Sequence, residues 1–260
     1  MPNDPSSQKE TSQITSQLKT RIDTNKKFGS IDLDKWLLER LSIKKGYNVL
    51  DVGCGTGNHI IKIAEAFPDG NYYGIDISKS SIKDAIEKST QKNLKIKFIC
   101  GDAAEASVFQ NNFFDLIISI YALYYVKDPQ KTLDVLKSKL KSTGKIAVMS
   151  PYKGNNEEWY SFLSSFMKIQ QEIESIANNF MDRIVLPFAK TNFVKIESIH
   201  FENKITIPSL EDLKKYWESN VYHKPEFDRE FEMHAKEFFK ENEKFVLTKR
   251  ALLAIMGTKN

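Results

Sequence analysis

The chain has 260 residues, of which 41% are hydrophobic and 12% aromatic, which is enough to bury one substantial core. Its 38 basic and 34 acidic residues leave a net charge of +4, so no concentrated basic arm points to a nucleic-acid partner. The two cysteines and four histidines lack the spacing of a disulfide framework or a zinc site, so we expect no metal and a reducing, cytoplasmic setting.

The N-terminal segment, residues 1–30, is predicted to be a flexible polar arm. Its first 21 residues contain only Met1, Ile14 and Leu18 as large apolar side chains, so they predict no signal peptide and contribute little to a core. The longest apolar run, residues 116–126, is too short to cross a bilayer, so we expect no membrane insertion. Residues 31–260 are predicted to form a single domain.

From about residue 32, amphipathic helices alternate with short β-rich runs, a pattern typical of a parallel sheet with crossover helices. An opening helix is predicted around Trp36–Leu41, and later helices around 60–67, 82–86 and 133–140. The pattern predicts five strands in this region, at Tyr47–Val52, Asn71–Ile75, Leu94–Phe98, Phe114–Ser119 and Lys145–Met149. Residues 31–150 are therefore predicted to be the ligand-binding core of the domain.

Beyond Pro151 the alternation changes. Helices are predicted near 159–169, near 178–189 and, as a pair, over 209–241, with a sixth strand at 193–207 and a final strand within 243–260. We interpret residues 151–242 as a helical cap with acceptor-side elements. The fold class predicted is α/β, a doubly wound, mostly parallel seven-stranded sheet with helices on both faces and a helical cap insertion.

A glycine-rich turn, residues 53–57 with the sequence Gly-Cys-Gly-Thr-Gly, follows the first predicted strand. Glycines there let the backbone approach a ligand closely and adopt angles that other residues avoid. Asp76 lies at the tip of the second strand, where a carboxylate accepts hydrogen bonds from a ribose diol, and Asp102 follows the third. Three successive strands thus bring polar groups to one carboxyl edge, which predicts a nucleoside-type ligand.

Residues 50–57, Leu-Asp-Val-Gly-Cys-Gly-Thr-Gly, resemble the signature motif of class I S-adenosylmethionine methyltransferases, whose fold is Rossmann-like. The resemblance continues, in family order, through residues 74–78, 101–103, 114–117 and 140–148. It implies S-adenosylmethionine as cofactor and direct methyl transfer as the reaction.

The resemblance also implies roles for individual residues. The three turn glycines would pack against the methionine part of the cofactor, Asp76 would hold the ribose hydroxyls, Asp102 and Ala103 would contact the adenine, and Ser119 would line the cofactor near the sulfonium. Ile77 is a further candidate contact. The cofactor-binding candidates are Asp51, Gly53, Gly55, Gly57, Asp76, Ile77, Asp102, Ala103 and Ser119.

Asp51, directly before the turn, has two roles open to it. It orients the cofactor's ammonium group, or it accepts backbone hydrogen bonds from the turn. The main competing ligand is a nicotinamide dinucleotide, whose turn has the pattern GxGxxG and cradles a pyrophosphate. The GxGxG pattern here, and an acid where two phosphates would lie, favour the sulfonium cofactor.

Methyl transfer from a sulfonium needs an acceptor atom held in line, and no universal catalytic residue. The candidate acceptor-side residues are four tyrosines whose faces and hydroxyls suit a polar or cationic acceptor: Tyr121, Tyr124, Tyr125 and Tyr152. For each of them, packing of a helix on the sheet is the alternative role. A general base is not identified.

Several sequence motifs are missing, and their absence narrows the class of methyl acceptor. The fourth strand ends without the Asn- or Asp-Pro-Pro-aromatic motif of adenine methyltransferases, so DNA is not expected, and no basic aromatic stripe tracks a strand. We expect a small-molecule acceptor methylated on an O or N atom, with oligomeric state and pathway open. An RNA or protein methyltransferase, or a non-catalytic S-adenosylmethionine-binding protein, is the alternative.

Overall fold

The computed structural model describes residues 5–169 and 177–258. Its strands are β1 (Asn48–Val52), β2 (Asn71–Asp76), β3 (Ile96–Cys100), β4 (Phe114–Ile120), β5 (Leu140–Pro151), β6 (Lys195–Ile207) and β7 (Phe245–Gly257). Its longer helices are α1 (Pro5–Phe28), α2 (Leu33–Leu41), α3 (Asn58–Ala66), α4 (Lys79–Gln91), α5 (Pro129–Lys139), α6 (Glu157–Ser164), α7 (Leu186–Asn192), α8 (Leu210–Glu218) and α9 (Asp228–Glu241). No described helix is both long and apolar enough to cross a membrane.

The strands form one seven-stranded sheet in the order β3-β2-β1-β4-β5-β7-β6. The pairs β1–β2, β2–β3, β1–β4 and β4–β5 are parallel, whereas β7 runs antiparallel to β5. The chain therefore builds outward from β1 to β3 and then crosses to the other side of β1 at β4. This reversal of direction is where doubly wound sheets open a crevice for ligands. The predicted Rossmann-like α/β fold is confirmed.

Contacts divide the chain into two compact units. Of the described residues, those within 33–153, 174–201 and 251–260 form the first unit, and those within 1–32, 154–173 and 202–250 form the second. Strands β6 and β7 contribute residues to both. The predicted division into a 31–150 core and a 151–242 cap stays a prediction.

In the first unit, apolar side chains alternate along the central strands and bury both faces of the sheet. Leu50 and Ile117 belong to one apolar cluster, while Val49, Leu116 and Ile118 belong to the other. This alternation follows from the two-residue repeat of a strand, and burial on both faces explains why β4 is almost entirely apolar.

The second unit has its own aromatic core. Trp159, Trp217 and Phe231 are each at most 1% exposed, and the Trp217 and Phe231 rings stack at 5.1 Å. Aromatic burial of this kind supplies most of the apolar area available to a small unit.

The N-terminal segment, predicted as a flexible arm, contains helix α1 in the structure, and the residues after this helix pair with β6. Gly29 forms an isolated antiparallel bridge with Ile205. The buried Asn203 amide oxygen accepts hydrogen bonds from the Ser30 hydroxyl and the Ile31 N–H. The flexibility predicted for residues 1–30 stays a prediction.

Candidate functional site

The glycine turn between β1 and α3 follows a tightly bonded course. The Gly53 and Cys54 N–H groups both donate to the Ile75 carbonyl of β2, at 2.8 and 3.0 Å. Gly53, Gly55 and Gly57 all have positive φ angles, of 73°, 52° and 76°. Glycine adopts this left-handed region without the steric cost that a Cβ brings, so the sequence of the turn is dictated by its backbone.

Asp76, the last residue of β2, is bonded to the same turn. One carboxylate oxygen accepts the Gly55 N–H at 2.7 Å, and the other accepts the Ser78 N–H at 2.8 Å. The neighbouring strand is tied to it as well, because the Gly101 N–H donates to the Asp76 carbonyl at 2.9 Å. The carboxylate is thus fixed at the strand edge, and each oxygen retains a lone pair for a ligand hydroxyl.

Asp51 is buried under the turn, with 1% of its surface exposed. Its Oδ2 atom has no hydrogen-bond partner among the described residues. Burial raises the pKa of the Asp51 carboxyl to about 7, and the charges of Asp76 and Asp34 act in the same direction, against that of His59. A buried carboxylate oxygen without a donor is costly, so this position fits a cationic or donor group on a ligand.

The remaining predicted cofactor residues follow β2 or lie at the ends of β3 and β4. Asp102 accepts the Ala104 N–H at 2.9 Å and begins the short 3-10 helix Ala103–Val108. The fully buried Ser119 hydroxyl donates to the Val52 carbonyl at 2.8 Å. Ile77 is 75% exposed, directly after Asp76. Like Asp51, Asp76 and the glycines, they follow or end the four adjacent parallel strands at their carboxyl ends.

The loop after β4 approaches the glycine turn closely. A Cβ placed on Gly53 would lie 2.2 Å from the Cβ of Ala122, so only glycine fits there. Tyr121, just before it, has a φ of 56°, which is unusual for a residue with a Cβ. Strain of this kind is found at ligand-binding loops, where the surrounding structure holds it in place.

Three of the predicted tyrosines lie in this loop, in different environments. Tyr121 packs against one apolar cluster of the first unit, and burial raises the pKa of its hydroxyl well above its ordinary value. Tyr124 packs against the other cluster, and its ring centroid lies 4.3 Å from that of Tyr125. Tyr125 is 75% exposed, so packing does not account for its side chain.

Tyr152, after β5, belongs to a polar group that the sequence did not predict. Its hydroxyl donates to Asp182 Oδ1 at 3.0 Å, and Lys153 Nζ lies 2.9 Å from Asp182 Oδ2. The Lys153 hydrogen bond holds the pKa of the Asp182 carboxyl below its ordinary range, so Asp182 stays ionised. Because 30 residues separate Tyr152 from Asp182, no local pattern signals this pair.

Two further contacts support the turn from behind. Lys88 of α4 donates to Thr56 Oγ1 at 2.8 Å and to Asn58 Oδ1 at 3.2 Å, which ties the loop to that helix. His59 Nδ1 lies 2.6 Å from Oδ1 of the buried Asp34, so this histidine faces helix α2. No group of three or more potential metal ligands occurs in the described part of the chain.

Comparison with known proteins agrees with this geometry. The profile of a family described as "Methyltransferase domain" matches residues 43–222, which is more than half of the chain. A demethylmenaquinone methyltransferase of Listeria monocytogenes is 32% identical over 139 residues, covering 52% of this chain and 58% of that protein. The chain therefore spans somewhat more than half of the length of this curated relative.

Solved structures share the fold at low sequence identity. The YcgJ protein of Bacillus subtilis matches with a TM-score of 0.59 and 16% identity, over 87% of this chain and 98% of that one. A phosphoethanolamine N-methyltransferase of Haemonchus contortus, solved in complex with S-adenosyl-L-methionine, matches with a TM-score of 0.51 and 20% identity. That match covers 86% of this chain and 51% of the Haemonchus chain.

Proposed function

The chain belongs to the class I S-adenosylmethionine-dependent methyltransferases, and we propose that it transfers a methyl group from this cofactor to an oxygen or nitrogen atom of a small-molecule acceptor by direct in-line displacement. The observation that carries the proposal is the strand edge described above. There, the glycine turn is bonded to the Asp76 carboxylate, and the buried Asp51 Oδ2 atom has no partner within the described part of the chain.

The residues at this edge fit the cofactor chemically. A Cβ on Gly55 would meet no atom within 4 Å, so the turn leaves open space where a ligand can approach the backbone. The partner-free oxygen of Asp51 suits the ammonium group of the methionine part. The fixed Asp76 carboxylate suits a ribose diol.

The remaining candidates complete the proposed contacts. Asp102 and Ala103 would contact the adenine, with Ile77 exposed beside Asp76 for the same purpose. Ser119 would line the sulfonium end. Gly53 and Gly57 would keep the turn close to the methionine part.

When bound, S-adenosylmethionine supplies a methyl group on a carbon already activated by a sulfonium. The protein's task is then to hold an acceptor atom in line and to exclude water. We propose Tyr121, Tyr124, Tyr125 and Tyr152 for the acceptor side. The Tyr121 hydroxyl, with its raised pKa, stays protonated and orients an acceptor as a donor, not as a base.

Tyr152 would orient the acceptor differently. Because its hydroxyl donates to Asp182, its oxygen lone pairs remain available to accept from an amine or hydroxyl of the acceptor. Asp182, ionised and bonded to Lys153, fixes the direction of that hydroxyl. No general base is assigned. The named acceptors of the relatives, demethylmenaquinone and phosphoethanolamine, support a small-molecule acceptor class.

The test is a transfer assay with S-adenosylmethionine carrying a labelled methyl group. The purified protein is incubated with the small-molecule, protein and RNA fractions of a cell extract. We expect label in the small-molecule fraction, lost in Asp76→Ala and retained in Asp69→Ala. Asp69 is a matched control because its side chain is 63% exposed and forms a surface ion pair with Lys45, at 3.7 Å.

Label confined to RNA or protein would replace the acceptor class proposed here. Label in none of the fractions, from a protein that binds the cofactor, would identify a non-catalytic S-adenosylmethionine-binding protein.

A further inference from the structure

The second unit contains a lysine without a counter-charge. Lys249 and Arg250 are consecutive on β7 and so point to opposite faces of the strand. Arg250 Nε lies 3.2 Å from Glu202 Oε2, and its Nη1 donates to the Gly154 carbonyl at 2.6 Å. Lys249 Nζ instead donates to the Tyr216 hydroxyl at 2.9 Å. Within the described ranges, no carboxylate lies at ion-pair distance from Lys249.

A second cation lies close enough to act on this lysine. Arg21 of α1 donates through Nη1 to the Ser219 carbonyl at 2.6 Å, and it too forms no ion pair with a described carboxylate. Burial, and then the charge of Arg21, lower the pKa of Lys249 to about 7. The two basic groups therefore influence each other electrostatically, and neither forms an ion pair with a carboxylate of the described residues. Both side chains are half-buried.

The side chains packed around Tyr216 also include a hydrogen-bond donor without an acceptor. Tyr216 is fully buried, and Trp159 packs edge-on against it at 5.0 Å. Trp159 is itself fully buried, yet its Nε1 has no hydrogen-bond partner among the described residues. Unpaired buried donors and uncompensated cations both cost stability, and proteins keep them where a ligand completes them.

We propose that Lys249 and Arg21, with the Tyr216 hydroxyl holding the lysine in place, form a binding site for the phosphate or carboxylate group of a small molecule. An oxyanion supplies the negative charge and the acceptor lone pairs that this cluster lacks. The arginine guanidinium and the lysine ammonium are the side chains that bind such groups most strongly. This site is independent of the proposed methyl transfer.

The test is calorimetric titration of the full chain with inorganic phosphate and, separately, with acetate, at constant ionic strength set with chloride. We expect saturable binding of at least one anion. Affinity should fall at least about tenfold in Lys249→Met and in Arg21→Gln, as expected for the loss of one charged hydrogen bond. Tighter binding of phosphate identifies a phosphate ligand, and equal or tighter binding of acetate identifies a carboxylate.

Lys236→Met is the matched control, because Lys236 is 59% exposed and already paired with Glu232 at 2.6 Å. It should bind the anion as the wild type does. The anion should raise the unfolding temperature of the wild type and of Lys236→Met, and should leave that of Lys249→Met unchanged. If Lys249→Met does not fold, Arg21→Gln decides. No saturable binding of either anion, or unchanged affinity in the variants, would overturn the proposal.

Discussion

Asp51 shows how a single residue connects burial to ligand chemistry. Its carboxyl lies under the glycine turn, and the raised pKa follows from burial first and from the neighbouring carboxylates second. In the ligand-free protein its ionised form is unfavourable, because one oxygen lacks a donor. A cationic ligand group would favour the ionised form of Asp51. The free-energy cost of burying this carboxylate would then be offset when the ligand binds.

The raised pKa of Asp51 makes the free energy of unfolding depend on pH. Asp51 has a pKa of about 7 in the folded state, against an ordinary value of 3.8, so the folded protein binds this proton more tightly. The free energy of unfolding should therefore fall as pH rises from 3.8 to about 7. Relative to Asp51→Asn, the wild type should lose about 1 to 4 kcal/mol over that interval, measured by urea unfolding of the ligand-free protein.

The exposed Asp69→Asn variant serves as the control and should follow the wild type at each pH. A difference between wild type and Asp51→Asn that does not change with pH would contradict this account of the buried carboxyl.

The turn after β1 requires glycine at two positions for two different reasons. Gly53 is required by packing, because a Cβ there would lie 2.2 Å from Ala122. At Gly55 only the positive φ favours glycine, because a Cβ there would meet no atom within 4 Å. In this turn, Gly53 is therefore needed for packing, and Gly55 leaves room for a ligand.

Alanine substitutions separate these two roles. Gly55→Ala should cost about 1 to 2 kcal/mol of stability from left-handed strain, and its Cβ should weaken S-adenosylmethionine binding. Gly53→Ala should cost more, because strain and overlap with Ala122 add. Urea unfolding and cofactor titration measure both effects.

Gly46→Ala is the control, since Gly46 also has a positive φ, of 77°, and open surroundings, but precedes β1. It should share the stability cost of Gly55→Ala and leave cofactor binding intact. Equal stability of Gly53→Ala and Gly55→Ala, or unchanged binding in Gly55→Ala, would contradict the roles assigned.

The helices and strands were predicted correctly where a local repeat of apolar residues determines which side chains are buried. The central strands were identified because β4 is apolar on both faces and the flanking helices repeat at three and four residues. The prediction did not include helix α1, whose polar composition shows no apolar stripe and whose end is held by residues such as Asn203, far along the chain. It also placed Leu140 at the end of a helix because its spacing continued that of Leu133 and Leu136, whereas β5 begins there.

Across the whole molecule, the site was predictable in part. The glycine turn and the strand-end acids follow from the order of strands and turns, because parallel strands present their carboxyl ends at one edge. The Tyr152–Asp182 pair and the cluster around Lys249 join residues distant in sequence, so only tertiary structure brings them together. The grouping of the chain into two units depends on such contacts as well.

We infer that this strand edge binds S-adenosylmethionine, and the decisive experiment is calorimetric titration of the purified protein with S-adenosylmethionine and with NAD. We expect binding of S-adenosylmethionine only, weakened at least about tenfold in Asp76→Ala and unchanged in Asp69→Ala. Absence of S-adenosylmethionine binding, tighter binding of NAD, or equal affinity in Asp76→Ala would contradict it.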